Sequence, residues 1–146
     1  MIHFLYLILA YTLVDLLTGV YHMATDLGWN IPSQVRLFQQ HHDAPHMEGF
    51  DWQPMVGAMP VLIAGAWWHS EFWVMAGVIG CFAQLPHLWA HEGTDSKVVK
   101  LMQELGIFIS PESHAIHHGG KFNRNYCILS GWNNVWMNPL LAYLGM

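Results

Sequence analysis

The sequence predicts an all-α integral membrane protein: about three transmembrane helices, an interfacial helix and a cytoplasmic-side histidine cluster, in one membrane-embedded domain spanning residues 1–146. Three observations predict it. Hydrophobic residues make up 53% of the chain and charged residues only 10%, whereas a soluble domain carries about 25% charge. The apolar residues are gathered into three long runs. The 11 histidines recur in short-spaced groups beside those runs. The same composition excludes intrinsic disorder, which needs high charge and low hydrophobicity. A net charge of −5 gives no electrostatic footprint for phosphates, so no nucleic-acid partner is expected. Cys81 and Cys127 are too few for a disulfide framework.

The first run, Phe4 to Tyr21, carries a single charge, Asp15, and is long enough to cross a bilayer core. It lacks a basic n-region and has an acid in its middle, so a retained span is expected rather than a cleaved signal. The second run, Pro54 to Trp68, is shorter and contains Pro60, which predicts a kinked or incomplete crossing. The third run, Phe72 to Ala90, is uncharged and again long enough. Beyond it, Ser96 to Phe108 places Val98, Val99, Leu101, Met102 and Leu105 on a helical stripe opposite Lys97, Lys100 and Glu104, the pattern of an interfacial helix. Asn125 to Gly131 reads as a short strand or a turn.

Three crossings put the ends of the first and third runs on one side, with the intervening loop Leu27 to Gln53 and everything after Glu92. Arg36, Lys97, Lys100, Lys121 and Arg124 all fall there, which marks that side as cytoplasmic. The remaining histidines, His3 and His69, fall opposite and are expected to be bystanders.

On the cytoplasmic side the histidines stand at ligand spacings. His22 and Asp26 are four apart, His41 and His42 adjacent with His46 following, and His87 and His91 four apart; His114, His117 and His118 share one helical face. These nine imidazoles exceed the three or four protein ligands of a single zinc site. Thiolate-free, imidazole-rich coordination suits a pair of iron ions that activate dioxygen. Asp15 and Asp26 are candidates for ligation or for bracing a ligand. Asp15 lies two helical turns from His22, so bracing or pairing within the bundle is expected of it. A carboxylate at mid-span costs about 2.5–3.5 kcal/mol on insertion scales and needs a partner. A zinc-dependent membrane hydrolase, a ceramidase-like amidase for instance, is the alternative; it would leave most of these imidazoles idle.

Five motifs carry a resemblance. Asp15-Leu-Leu-Thr18-Gly19-Val-Tyr-His22-Met-Ala-Thr-Asp26, His41-His42-Asp43-Ala44-Pro45, His87-Leu-Trp89-Ala-His91, Ser113-His114-Ala-Ile-His117-His118 and Asn125-Tyr126-Cys127-Ile128 with Gly131-Trp132 follow in order. Together they resemble the Kua-type lipid desaturase domain family, which includes the plasmanylethanolamine desaturases and the plant plastid trans-palmitate desaturases. The resemblance implies a di-iron centre, dioxygen as oxidant and a phospholipid whose alkyl or acyl chain gains a double bond, as in plasmalogen formation. It places metal ligands at His22, His41, His42, His87, His91, His114, His117 and His118. Met23 departs from the family's usual Trp. The stretch after Pro45 is shorter than in relatives, which leaves His46, Glu48 or Asp51 for one further ligand. No G-x-G-x-x-G or P-loop occurs, so electrons are expected from a separate donor, a small cytochrome or a ferredoxin.

Overall fold

In a computed structural model, which describes residues 1–43, 53–119 and 122–146, every regular element is a helix. Among the described residues there is no strand. The elements run α1 (Ile2–Asp26), α2 (Pro32–Asp43), α3 (Gln53–Trp67), α4 (Glu71–Phe82), α5 (Gln84–Glu92), α6 (Lys97–Glu104), α7 (Pro111–His118) and α8 (Asn134–Tyr143).

Among the described residues, two helices are long and apolar enough to cross a membrane: Ile2–Asp26, and Glu71–Glu92 counting α4 and α5 together. At 1.5 Å per residue they reach about 37 Å and about 33 Å. The break between α4 and α5 at Ala83 has a local cause. Pro86 has no N–H to give the Phe82 carbonyl, so the hydrogen-bond ladder is interrupted there. The third apolar helix, Met55–Trp67, is shorter than a span although Pro60 leaves it helical throughout.

The apolar helices pack through small residues. A Cβ on Gly77 would lie 2.5 Å from Leu62 Cα, so α3 and α4 touch backbone to backbone at that point. Ala10 and Val14 of α1 meet Ala76 of α4, with Ala83 and Leu129, in the buried core. The faces turned away from this core keep Phe4, Leu7, Ile8, Leu17, Ile63 and Trp67 exposed.

The polar elements collect at the far ends of α1 and α5. Expected as part of a loop, Pro32–Asp43 is helix α2, which folds back on α1 so that Phe38 meets Tyr21 and His22. Helix α6 is shorter than the stretch 96–108 and starts at a Ser96 cap that accepts from Val99 N–H. Helix α7 begins with a Ser110 cap, which accepts from Ser113 N–H, and Pro111 in its first turn. It packs on α5. Residues 125–131 form neither strand nor helix, and α8 follows without a clear apolar period to announce it.

Candidate metal centre

The irregular segment 125–133 lies along α1, and α1 supplies what its backbone lacks. Asp15 Oδ1 accepts from the N–H groups of Ser130 (2.8 Å) and Gly131 (2.9 Å). Its Oδ2 accepts from Asn133 N–H (3.1 Å) and from the Asn133 side-chain amide (2.9 Å). Four donors on a fully buried carboxylate explain how this charge is tolerated in an apolar helix. Asp15 therefore braces the segment and stands outside both ligand groups. One turn on, Gly19 lets Cys127 approach; a Cβ there would collide with its Sγ. One turn further, His22 Nδ1 donates to the Tyr126 carbonyl at 3.2 Å. The signature Asp15-x-x-Thr18-Gly19-x-x-His22 is thus a single stripe that docks one segment.

On the other flank, Asn134 Oδ1 accepts from Cys127 N–H at 3.0 Å and Asn138 Oδ1 from Asn125 N–H at 2.9 Å. Sequence reasoning passed over Asn133, Asn134 and Asn138. Their signal was three asparagines in an otherwise apolar stretch, which only backbone in need of partners would retain.

With the segment docked, the predicted ligands fall into two adjoining groups: His41, His87, His91, His114 and His118 in one, His22, Asp26, His42 and His117 in the other. Within each, one donor atom per residue lies within 4.8 Å of all the others. His46 lies outside the described residues, as do Glu48 and Asp51. His3 and His69 join neither group. They line a recess at the turn before α4, where His3 Nδ1 sits 2.6 Å from Glu71 Oε2.

In the five-imidazole group, His114 Nε2 lies 3.0 Å from His87 Nε2, 2.8 Å from His91 Nε2 and 3.2 Å from His118 Nε2. A ring nitrogen carries either one proton or one lone pair and so makes one hydrogen bond. Three nitrogens around a fourth cannot all be satisfied that way; a shared cation satisfies them all. Ligands about 2.1 Å from an ion and at right angles stand about 3.0 Å apart, the spacing seen here. The opposite nitrogens, Nδ1 of His87, His114 and His118, are buried without a partner among the described residues.

In the Asp26 group, both carboxylate oxygens are buried and accept no hydrogen bond among the described residues. They face the Nε2 atoms of His117 (3.4 Å), His42 (3.5 Å) and His22 (3.7 Å). Here two of the three outer nitrogens are engaged by backbone carbonyls: His117 Nδ1 donates to that of Arg124 at 2.8 Å, as His22 Nδ1 does to that of Tyr126. Each such bond fixes the tautomer that leaves an Nε2 lone pair for a metal. The residues present fit an ion in each group. The groups share a wall, His117 and His118 having ring centroids 5.3 Å apart.

Electrostatics keep four of these rings in the ligating form. Burial, then the neighbouring imidazoles, holds His41 and His118 down to about 3 and His114 lower still. Burial lowers His42 as well, but the Asp26 carboxylate opposes it. A cavity of about 700 Å³ opens onto the Asp26 group, between Gln39, His42 and Asp43 of α2 and the stretch Phe122, Asn123 and Tyr126.

Comparison with known proteins points the same way. A profile of the lipid desaturase domain matches residues 11–144. The chain is 34% identical to fatty acid desaturase 4, chloroplastic, of Arabidopsis thaliana, over 86% of this chain and 45% of that protein. It is 32% identical to fatty acid desaturase 4-like 2, chloroplastic, of the same plant, over 86% and 52%. With the plasmanylethanolamine desaturase of Myxococcus xanthus it shares 33% identity over 56% of this chain and 27% of that protein. The chain spans about half the length of the plant relatives it matches. No solved structure matches. With both ligand groups inside the matched residues, the chain belongs to the lipid desaturase domain family.

Proposed function

We propose that this chain is a membrane lipid desaturase that introduces a double bond into an alkyl or acyl chain of a phospholipid. The observation that carries the reading is the convergence of eight imidazoles and one carboxylate into two adjoining groups, at the ends of apolar helices, in a chain of this family. The two groups would hold a pair of iron ions, which when bound supply the activation of dioxygen. The overall change balances as one dioxygen, two electrons, two protons and the two hydrogens of adjacent methylenes giving two waters and an alkene. A separate donor, a small cytochrome or a ferredoxin, would supply the electrons.

The protein's own part is to keep the ligand nitrogens unprotonated, orient them and exclude water. Burial does the first for His41, His42, His114 and His118, the carbonyls of Arg124 and Tyr126 the second for two rings, and the packing of α1, α5 and α7 around the groups the third. Exposed apolar side chains on α1 and α3 fit a bilayer that also carries the substrate. Arg36 lies on α2 with His41 and His42, Arg124 in the segment that braces His117, and Lys97 and Lys100 on the helix that follows α5, a distribution that supports a cytoplasmic site.

Lipid analysis of cells making the protein tests the reading. A new alkenyl or unsaturated lipid is expected, dependent on dioxygen, with about two irons per purified chain. One zinc per chain and released fatty acid would instead support a hydrolase.

A further inference from the structure

Residues 122–126 address the Asp26 group in an alternating order. The carbonyl of Tyr126 receives His22 Nδ1 and that of Arg124, two residues earlier, receives His117 Nδ1. Two residues earlier again comes Phe122. No carbonyl among the described residues receives His42; what it meets is the Phe122 ring, with centroids 4.1 Å apart and planes within 4° of parallel. His42 has particular need of such a neighbour. Its helix α2 contains no buried residue, so the place of the imidazole is set by neighbours outside the helix. Phe122 for its part has φ +50°, a left-handed backbone that bulky residues seldom adopt. The Tyr126 hydroxyl donates to the Phe122 carbonyl at 2.7 Å and closes the segment in that shape. Unfavourable backbone held by a specific bond, beside ligand atoms, is a feature of positioned sites.

We propose that Phe122 is a positioning residue for the metal centre. Its flat face fixes the plane of His42, so that Nε2 stays 3.1 Å from His117 Nε2 and 3.5 Å from Asp26 Oδ1. It does by stacking what the Arg124 and Tyr126 carbonyls do by hydrogen bonding. The inference rests on the two-ion reading above. A residue that served only as apolar cover would be replaceable by any side chain of similar bulk.

The test uses the full chain in detergent micelles, freed of metal and titrated with Co²⁺, read by ligand-field absorption and by cobalt bound per chain. The wild type is expected to bind two ions, and Phe122→Tyr, which keeps a flat face, to match it. Phe122→Leu keeps apolar bulk without that face. It should weaken one of the two binding events about tenfold, the low end for loss of an orienting neighbour, and shift that ion's absorption alone. Melting of the metal-free protein checks that the variant folds; Phe122→Met replaces it should it not. Two ions bound equally well by the wild type and by the Leu or Met variant would overturn the inference alone. A wild type that takes up one cobalt ion would overturn the two-ion reading and this inference with it.

Discussion

The two ligand groups adjoin, yet one brings a carboxylate and imidazoles, two of them braced, and the other brings five imidazoles and no carboxylate. In the Asp26 group a dication would be half neutralised; in the five-imidazole group it would keep its whole charge. At low dielectric that difference is large, since charge interactions scale inversely with the dielectric constant. The bracing differs too. His22 and His117 have their Nδ1 atoms held by backbone carbonyls, while Nδ1 of His87, His114 and His118 meets nothing among the described residues. Affinity by charge and orientation belongs to the first group, affinity by sheer donor number to the second. The first is therefore expected to fill first.

Removing the carboxylate breaks this contrast most severely. Asp26→Asn should lower affinity at its group by about 100-fold or more, beyond the 10–100-fold typical of an orienting partner, and abolish desaturation. Elemental analysis after dialysis should then find one iron per chain in place of two. Next in size is Asp15, which holds the segment that braces only the Asp26 group. Asp15→Asn leaves an amide facing the N–H groups of Ser130 and Gly131 and should cost about 3 kcal/mol, read as a lower thermal midpoint. The Asp26 group should lose metal before the other; equal loss from both would show that the bracing is not selective. Smaller still is His118→Ala, since four nitrogens remain around its ion. Affinity there should fall about tenfold, with full occupancy recovered at higher iron.

Acid separates the groups in a further way. His41 and His118 are held near 3 in the folded chain, whereas an unfolded histidine takes up its proton near 6.5. Between those values the unfolded state binds more protons, so stability from these rings is complete above about pH 6.5 and declines as the pH falls toward 3. Midpoints of the metal-free chain measured from pH 8 to pH 4 should be level at first and then drop, and less so for a His41→Gln, His118→Gln pair. The smallest effect is expected from His3→Gln with His69→Gln, which should leave two irons per chain and normal turnover.

The sequence showed which residues would gather but not how they would divide. Spacing on single helices was legible: His22 with Asp26, His87 with His91, and His114 with His117 and His118 lie where α1, α5 and α7 put them. The division turns on contacts such as His42 with His117, 75 residues apart, which no local period encodes. Helix α2 is hard to tell from a loop because PSQVRLFQQHHD buries no residue and so needs no apolar stripe. Helix α8 was missed because it is short, holds Pro139 and spends Asn134 and Asn138 on the neighbouring backbone. Asp15 was legible as a charge in need of partners, while the partners themselves, at residues 130–133, were not.

The stripe on α1 also has a meaning in time. Asp15 meets Asn133 across a separation of 118 residues, and His22 meets Tyr126 across 104. By contrast α3 and α4 are neighbours in the chain and pack at once through contacts that close only a short loop. During synthesis the α3–α4 hairpin can form while the braces for His22 and His117 are still inside the ribosome. Contacts of such long range form late. The candidate metal centre is thus completed by a segment that emerges after all of its ligands, and a nascent fragment that ends just before residue 122 carries every residue of both groups but none of the segment that aims them.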